Sequence, residues 1–141
     1  MPFRPLVPAF ALLLVAAPAA AARPIDGAWI TEDRRAVVTI GPCAAGVPDR
    51  CGRVTRILAP TPDGPPRDER NPNPALRNRA VLGLTVLSGF GDRGQDWRGR
   101  IYSPEEGKSY RSILRLKPDG TLGVKGCVAI FCQSQTWRRA R

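Results

Sequence analysis

The stretch DWRGRIYSPEEGKSYRSILRLKPDGT, residues 96–121, decides the fold. Trp97, Gly99 and Ile101 alternate with Arg98, Arg100 and Tyr102, the two-residue period of a strand with one face buried. SPEEGKS (103–109) reads as a turn. The alternation then resumes, with Tyr110, Ser112, Leu114 and Leu116 on one face and Arg111, Ile113 and Arg115 on the other. KPDGT (117–121) supplies Pro and Asp-Gly, the residues a tight hairpin needs. Two strands and two turns in this span define an antiparallel meander.

The same grammar extends outward. GAWIT (27–31) leads into AVVTIG (36–41), where Val38 and Ile40 share one face and Val37 and Thr39 the other. GRVTRILA (52–59) and VLGLTVLSG (81–89) are further apolar runs, and LGVKGCVAIF (122–131) and SQTWRR (134–139) complete the set. β-branched residues favour a pleated surface. No run of about ten residues carries helical periodicity, although residues 75–82 have room for one helical turn. The expectation is an all-β chain of about eight strands, closed into a barrel or folded as a sandwich. Closure removes exposed strand edges.

The N-terminus is of another kind. One positive charge in MPFRP, an apolar run LVPAFALLLVAAPA and small residues after it are the layout of a signal peptide over residues 1–22, cleaved after Ala22. The run is shorter than the roughly 20 residues of a membrane span, so no stable span is expected after cleavage. Residues 23–141 then form a single domain, periplasmic or secreted.

All four cysteines, Cys43, Cys51, Cys127 and Cys132, lie in the exported part. Of the three pairings, Cys43–Cys51 with Cys127–Cys132 is the most economical, and an oxidising compartment favours it. Zinc is not expected, because no Cys-x-x-Cys pair is present and the chain has no His. The lack of His also excludes Ser-His-Asp and Cys-His mechanisms. No catalytic constellation and no cofactor motif is visible. Glu105 and Glu106 are adjacent in a turn, where they cannot flank one bond from opposite sides.

The formal charge is +10, with Arg and Lys numbering 22 against 12 acidic residues. Such a surface suits anionic envelope partners; a GC-rich genome equally accounts for the abundance of Arg, Ala, Pro and Gly. Nucleic acid is not expected, since no recognised binding motif is present.

Two readings attach to DERNPNPALRNRAVLG (68–83), which follows the long loop that begins at Pro60. In one, Asp68, Asn71 and Arg77 form a polar rim over a barrel mouth, Arg77 offering a fork to a carboxylate or phosphate. In the other, the Asn-Pro pairs build turns, Asn73 caps a short helix with Pro74 at its first position, and Asp68 pairs with Arg77. Tyr102 and Tyr110 either brace the hairpin they flank or face a cavity. Trp29, Trp97 and Trp137 read as core or barrel-end plugs, with Trp97 kept as a candidate ligand contact.

Gly27-x-Trp29, CGRV (51–54), Asp68 with Asn71-Pro72 and Arg77, Leu82-Gly83, WRGRIYSPEEGKSY (97–110) and QTWRR (135–139) occur in order. In these the chain resembles the small secreted bacterial proteins of domain-of-unknown-function family 2147. Cys127 and Cys132 stand where many members carry other residues. The resemblance implies export and a lipocalin-like (calycin) β-barrel, and it implies no reaction. Function is thereby expected to be the binding of a small lipophilic or anionic ligand, with Asp68, Asn71, Arg77, Trp97, Tyr102 and Tyr110 as candidate contacts. The alternatives are an envelope interaction protein working through its basic surface and, last, an enzyme centred on Asp68.

Overall fold

A computed structural model describes residues 14–16 and 24–141. Apart from 14–16, the segment read as a signal peptide, residues 1–22, lies outside the described residues. Among those described, no helix is long and apolar enough to cross a membrane.

Eight antiparallel strands follow one another around a closed barrel. They are β1 (Gly27–Ile30), β2 (Ala36–Pro42), β3 (Arg50–Ile57), β4 (Thr85–Asp92), β5 (Trp97–Ser103), β6 (Lys108–Leu116), β7 (Leu122–Val128) and β8 (Phe131–Arg139). β1 closes the barrel on β8 through Trp29 opposite Arg139 and Ile30 opposite Arg138. The closed form therefore holds, and the sandwich does not. Strand direction alternates, so the connections 31–35, 58–84, 104–107 and 129–130 share one end, and 43–49, 93–96 and 117–121 share the other.

The stretch 96–121 folds as its alternation dictates. Trp97 and Leu114 are register partners and both are buried. Gly99 occupies an inward position because a Cβ there would meet the Ser88 carbonyl oxygen at 2.6 Å and the Phe90 ring at 2.8 Å. The fully buried Phe90 fills that space instead. In the 117–121 turn Lys117 and Thr121 exchange a backbone hydrogen bond, Gly120 takes φ +85, and Asp119 accepts from the Thr121 amide and hydroxyl.

Two boundaries differ from the sequence reading. Val81–Leu84 is a turn and β4 begins at Thr85, because Gly83 adopts φ +88 and donates to the Val54 carbonyl. LGVKGCVAIF is not one strand: Ala129, at φ 50, and Ile130 reverse the chain, and β8 starts at Phe131. Both disulfides take the economical pairing, Cys43–Cys51 and Cys127–Cys132.

Side chains pack one end of the barrel solid. Ile25, Trp29, Ile40, Leu87, Phe90, Trp97, Leu114 and Leu122 belong to one buried cluster. Trp29 donates its indole N–H to the Ile25 carbonyl at 2.8 Å. The Arg139 guanidinium lies over the Trp29 ring at 4.1 Å and donates to the Asp26 carbonyl. Gly27 is needed beside it: its φ is +120, and a Cβ would approach the Arg139 guanidinium to 2.6 Å. Gly-x-Trp near the first strand is thus one half of a plug whose other half is the end of β8.

Candidate functional site

The other end is open. A cavity of about 490 Å³ runs from the barrel interior to the connections 31–35, 58–84 and 104–107. Val38, Ile57, Val81, Val86, Ile101 and Trp137 give it an apolar wall, to which Tyr102 and Gln135 add polar atoms. Arg35, Arg67 and Arg70 line it together with Asp33, Asp63, Glu69 and Glu105. Of these charges Arg35 and Glu105 approach to 3.5 Å, both well exposed.

The long loop is held over this opening by a buried polar knot. An antiparallel bridge between Arg67 and Ala80 sets the two arms of the loop opposite each other. The Asp68 amide then donates to the Arg79 carbonyl, and the Asp68 carboxylate meets the Arg79 side chain at 2.8 Å. The same carboxylate, fully buried, accepts from the Tyr102 hydroxyl at 2.5 Å and from the Asn71 amide at 2.8 Å. Asn71 also donates to the Tyr102 oxygen at 3.1 Å and accepts from the Asn73 amide at 2.8 Å. A buried carboxylate is tolerated only when so fully bonded.

These contacts set the protonation states. Burial pushes the Asp68 carboxyl up, but donation from Tyr102, Asn71 and Arg79, with the Arg79 charge, outweighs it and holds the group below its usual value. Tyr102 is pushed up by burial and by its bond to the Asp68 carboxylate. The knot is therefore a fixed anion held by three donors.

A second contact pins the same loop. Gly107, at φ +66, lies so close to Arg70 that any Cβ would overlap its carbonyl. Asn73 caps the short 3-10 turn Pro74–Leu76, accepting from the Ala75 amide at 3.1 Å with Pro74 at the first position.

The six sequence candidates thus separate. Tyr102 lines the cavity, while Asp68 and Asn71 stand behind it and fix it. Arg77 is not the partner of Asp68. It follows the 3-10 turn, and its side chain folds back to donate to the Asn71 carbonyl at 2.8 Å, whereas the bridge places Arg79 opposite Asp68. Trp97 lies in the packed core. Tyr110 donates to Glu106 at 2.8 Å and so braces the hairpin, its own proton held more tightly by that carboxylate. Arg35, Arg67 and Arg70 at the opening were not among the sequence candidates, because an arginine in a loop carries no period to mark it. Among the described residues no group of three or more His, Cys, Asp or Glu could hold a metal.

A family model described as "Uncharacterized protein conserved in bacteria (DUF2147)" matches residues 27–139, which is the whole barrel. The chain belongs to this family. No curated protein matches it. Among solved structures, the DUF2147 chain is similar to protein HP1028 from Helicobacter pylori, described as belonging to the lipocalin family. The TM-score is 0.72 at 20% identity, covering 84% of each chain. That likeness establishes the lipocalin-like barrel; the identity is too low to carry more.

Proposed function

We propose that this DUF2147 protein is an exported binding module that holds a small lipophilic or amphipathic ligand in its barrel. One observation carries the reading: a cavity of about 490 Å³ opens between polar loops at one end of the barrel, with Val38, Val86, Ile101 and Trp137 in its wall. Small-ligand sites are commonly about 300–1,000 Å³, apolar, with a few polar groups at fixed positions. The apolar part of the ligand sits against Val38, Val86 and Trp137, and an anionic head faces Arg35, Arg67 and Arg70 rather than Arg77. Asp68 and Asn71 serve binding by fixing Tyr102 and the loop. Export to the periplasm or beyond agrees with two disulfides and no free cysteine.

Native mass spectrometry of the oxidised protein purified from periplasm tests this. An added mass that leaves on denaturation, and is missing from Val86→Trp, is expected. A bare mass, together with no uptake of a dansylated fatty acid, refutes it.

A second reading has its own observation. A cleft of about 940 Å³ on the barrel flank is lined by Arg34, Arg56, Arg138, Arg139 and Arg141 against Glu32 and Asp119. It favours an envelope interaction protein that meets an anionic partner through its surface. Salt-sensitive binding that survives Val86→Trp distinguishes it.

A further inference from the structure

The β7–β8 hairpin stands clear of the barrel. Every residue from Val128 to Gln135 is exposed, so neither face of the hairpin there is covered. Yet its tip is apolar: Val128, Ile130 and Phe131 are 58%, 87% and 76% exposed. Large apolar side chains clustered on a protruding turn mark an interaction site rather than ordinary surface. The tip is also built to keep its shape. Cys127 and Cys132 are cross-strand partners joined by a disulfide five residues apart, and the Arg111 guanidinium donates to the Ala129 carbonyl at 2.5 Å. A fixed tip loses little conformational freedom on docking.

Charge identifies what it docks on. On the strands beneath the tip, Lys108, Arg111 and Lys125 lie in the half of the barrel nearer to it. Arg115, Lys117, Arg138, Arg139 and Arg141 lie towards the far end, as does Asp119 in the 117–121 turn. Glu105 and Glu106 share the tip's end of the barrel, Glu105 beside the exposed Arg35 and Glu106 accepting from Tyr110. The strands β6, β7 and β8 thus bear cations and no carboxylate in their half nearer the tip. A protein partner would need about 800 Å² of surface on each side, which three residues on a convex turn do not supply. A bilayer needs only a few apolar side chains at the acyl boundary and cations beneath them at the headgroups.

We infer that the Val128–Phe131 tip inserts into the surface of an anionic phospholipid bilayer, with Arg111 and Lys125 at the headgroups. This goes beyond ligand binding in the barrel and does not depend on it. The hairpin shares the open end with the cavity mouth, so docking brings that mouth to the lipid surface.

The test is co-sedimentation of the oxidised protein with vesicles of phosphatidylcholine and phosphatidylglycerol, and with phosphatidylcholine alone. Binding to the anionic vesicles is expected, weakened by salt, and reduced about tenfold or more in Ile130→Ser/Phe131→Ser. Both side chains are exposed, so circular dichroism should show an unchanged fold. In Phe131→Trp, quenching of the tip indole by brominated acyl chains is expected. No binding to the anionic vesicles overturns the inference. Full binding by the double serine variant does so too, since headgroup attraction alone would then suffice. A concentration-dependent dimer abolished by the serines would assign the tip to a second copy instead. Running Val86→Trp in parallel separates this result from the barrel-ligand reading, because a filled cavity leaves the tip intact.

Discussion

Asp68→Asn isolates the charge of the buried knot while keeping its shape. In the wild type three donors converge on one carboxylate: Tyr102 at 2.5 Å, Asn71 at 2.8 Å and Arg79 at 2.8 Å. Hydrogen bonds to a charged group contribute about 1.5–3 kcal/mol each and neutral ones about 0.5–1.5. An amide in the same place can still accept from Asn71 and Arg79 and donate to the Tyr102 oxygen, but the Tyr102 hydroxyl proton then loses its acceptor. The loss is then about 1 kcal/mol for each of three bonds. Arg79, 39% exposed, is screened by solvent and contributes less. The expected cost is about 2–3 kcal/mol at pH 7, read by urea denaturation. Its pH dependence is the sharper signature. Asp68 has a folded-state value below its ordinary 3.8, so its stabilisation is fully present above that ordinary value. It is lost as pH falls through the depressed one. Wild type and Asp68→Asn should therefore differ at pH 7 and converge in strong acid. A difference below about 0.5 kcal/mol, or one that persists unchanged into acid, refutes the knot as the clamp of the loop.

Three further outcomes follow from the packing. Gly107→Ala should cost about 2 kcal/mol or more, because it adds a Cβ against the Arg70 carbonyl at a positive φ; limited proteolysis should then cut the loop 58–84 faster than in the wild type. Replacing Cys43 and Cys51 with serine should lower stability by about 2–3 kcal/mol through the closed loop of eight residues, measured by thermal denaturation of oxidised protein. Ser112 is buried with no partner for its hydroxyl, so Ser112→Ala should be neutral or up to about 1 kcal/mol more stable, seen as an unchanged or raised melting temperature.

How much of this was legible in sequence depended on whether a local rule governed the residues. Trp97, Gly99 and Ile101 obey a two-residue period, and so does the inward Ser112–Leu114 pair; the meander followed directly. Asp119-Gly120 and Asn73-Pro74 carry their own turn and cap chemistry, and both formed as read. The failures share another character. Whether Asp68 meets Arg77 or Arg79 depends on a backbone bridge between residues 67 and 80, and side-chain types alone do not encode that register. The start of β4 was misplaced because Leu82-Gly83-Leu84 is apolar enough to pass for strand, while Gly83 takes φ +88. The mouth arginines were invisible because two chain-distant connections, 31–35 and 58–84, assemble them.

The division of the barrel into a packed and an open half explains why so much chemistry is spent on a loop. A side chain–filled end supplies burial, with Trp29, Phe90, Leu87 and Leu114 wholly out of water; each such side chain is worth about 1.5–3 kcal/mol. The open half adds Val38, Val86 and Trp137, which line the cavity yet are themselves nearly out of water. The connection 58–84 reaches that core near its end, through Val81 and Leu84, and the rest of it needs other anchors. The knot of Asp68, Asn71, Tyr102 and Arg79 and the contact of Gly107 with Arg70 supply them at the cavity's edge, with Tyr102 and Arg70 in its lining and Asp68, Asn71 and Arg79 behind it. Tyr102 joins the two regions, since its ring lines the cavity and its hydroxyl belongs to the knot. A ligand that presses on Tyr102 is therefore coupled to the order of the loop above it. Substitutions in the knot should weaken retention of a bound ligand even though none of Asp68, Asn71 and Arg79 lines the cavity.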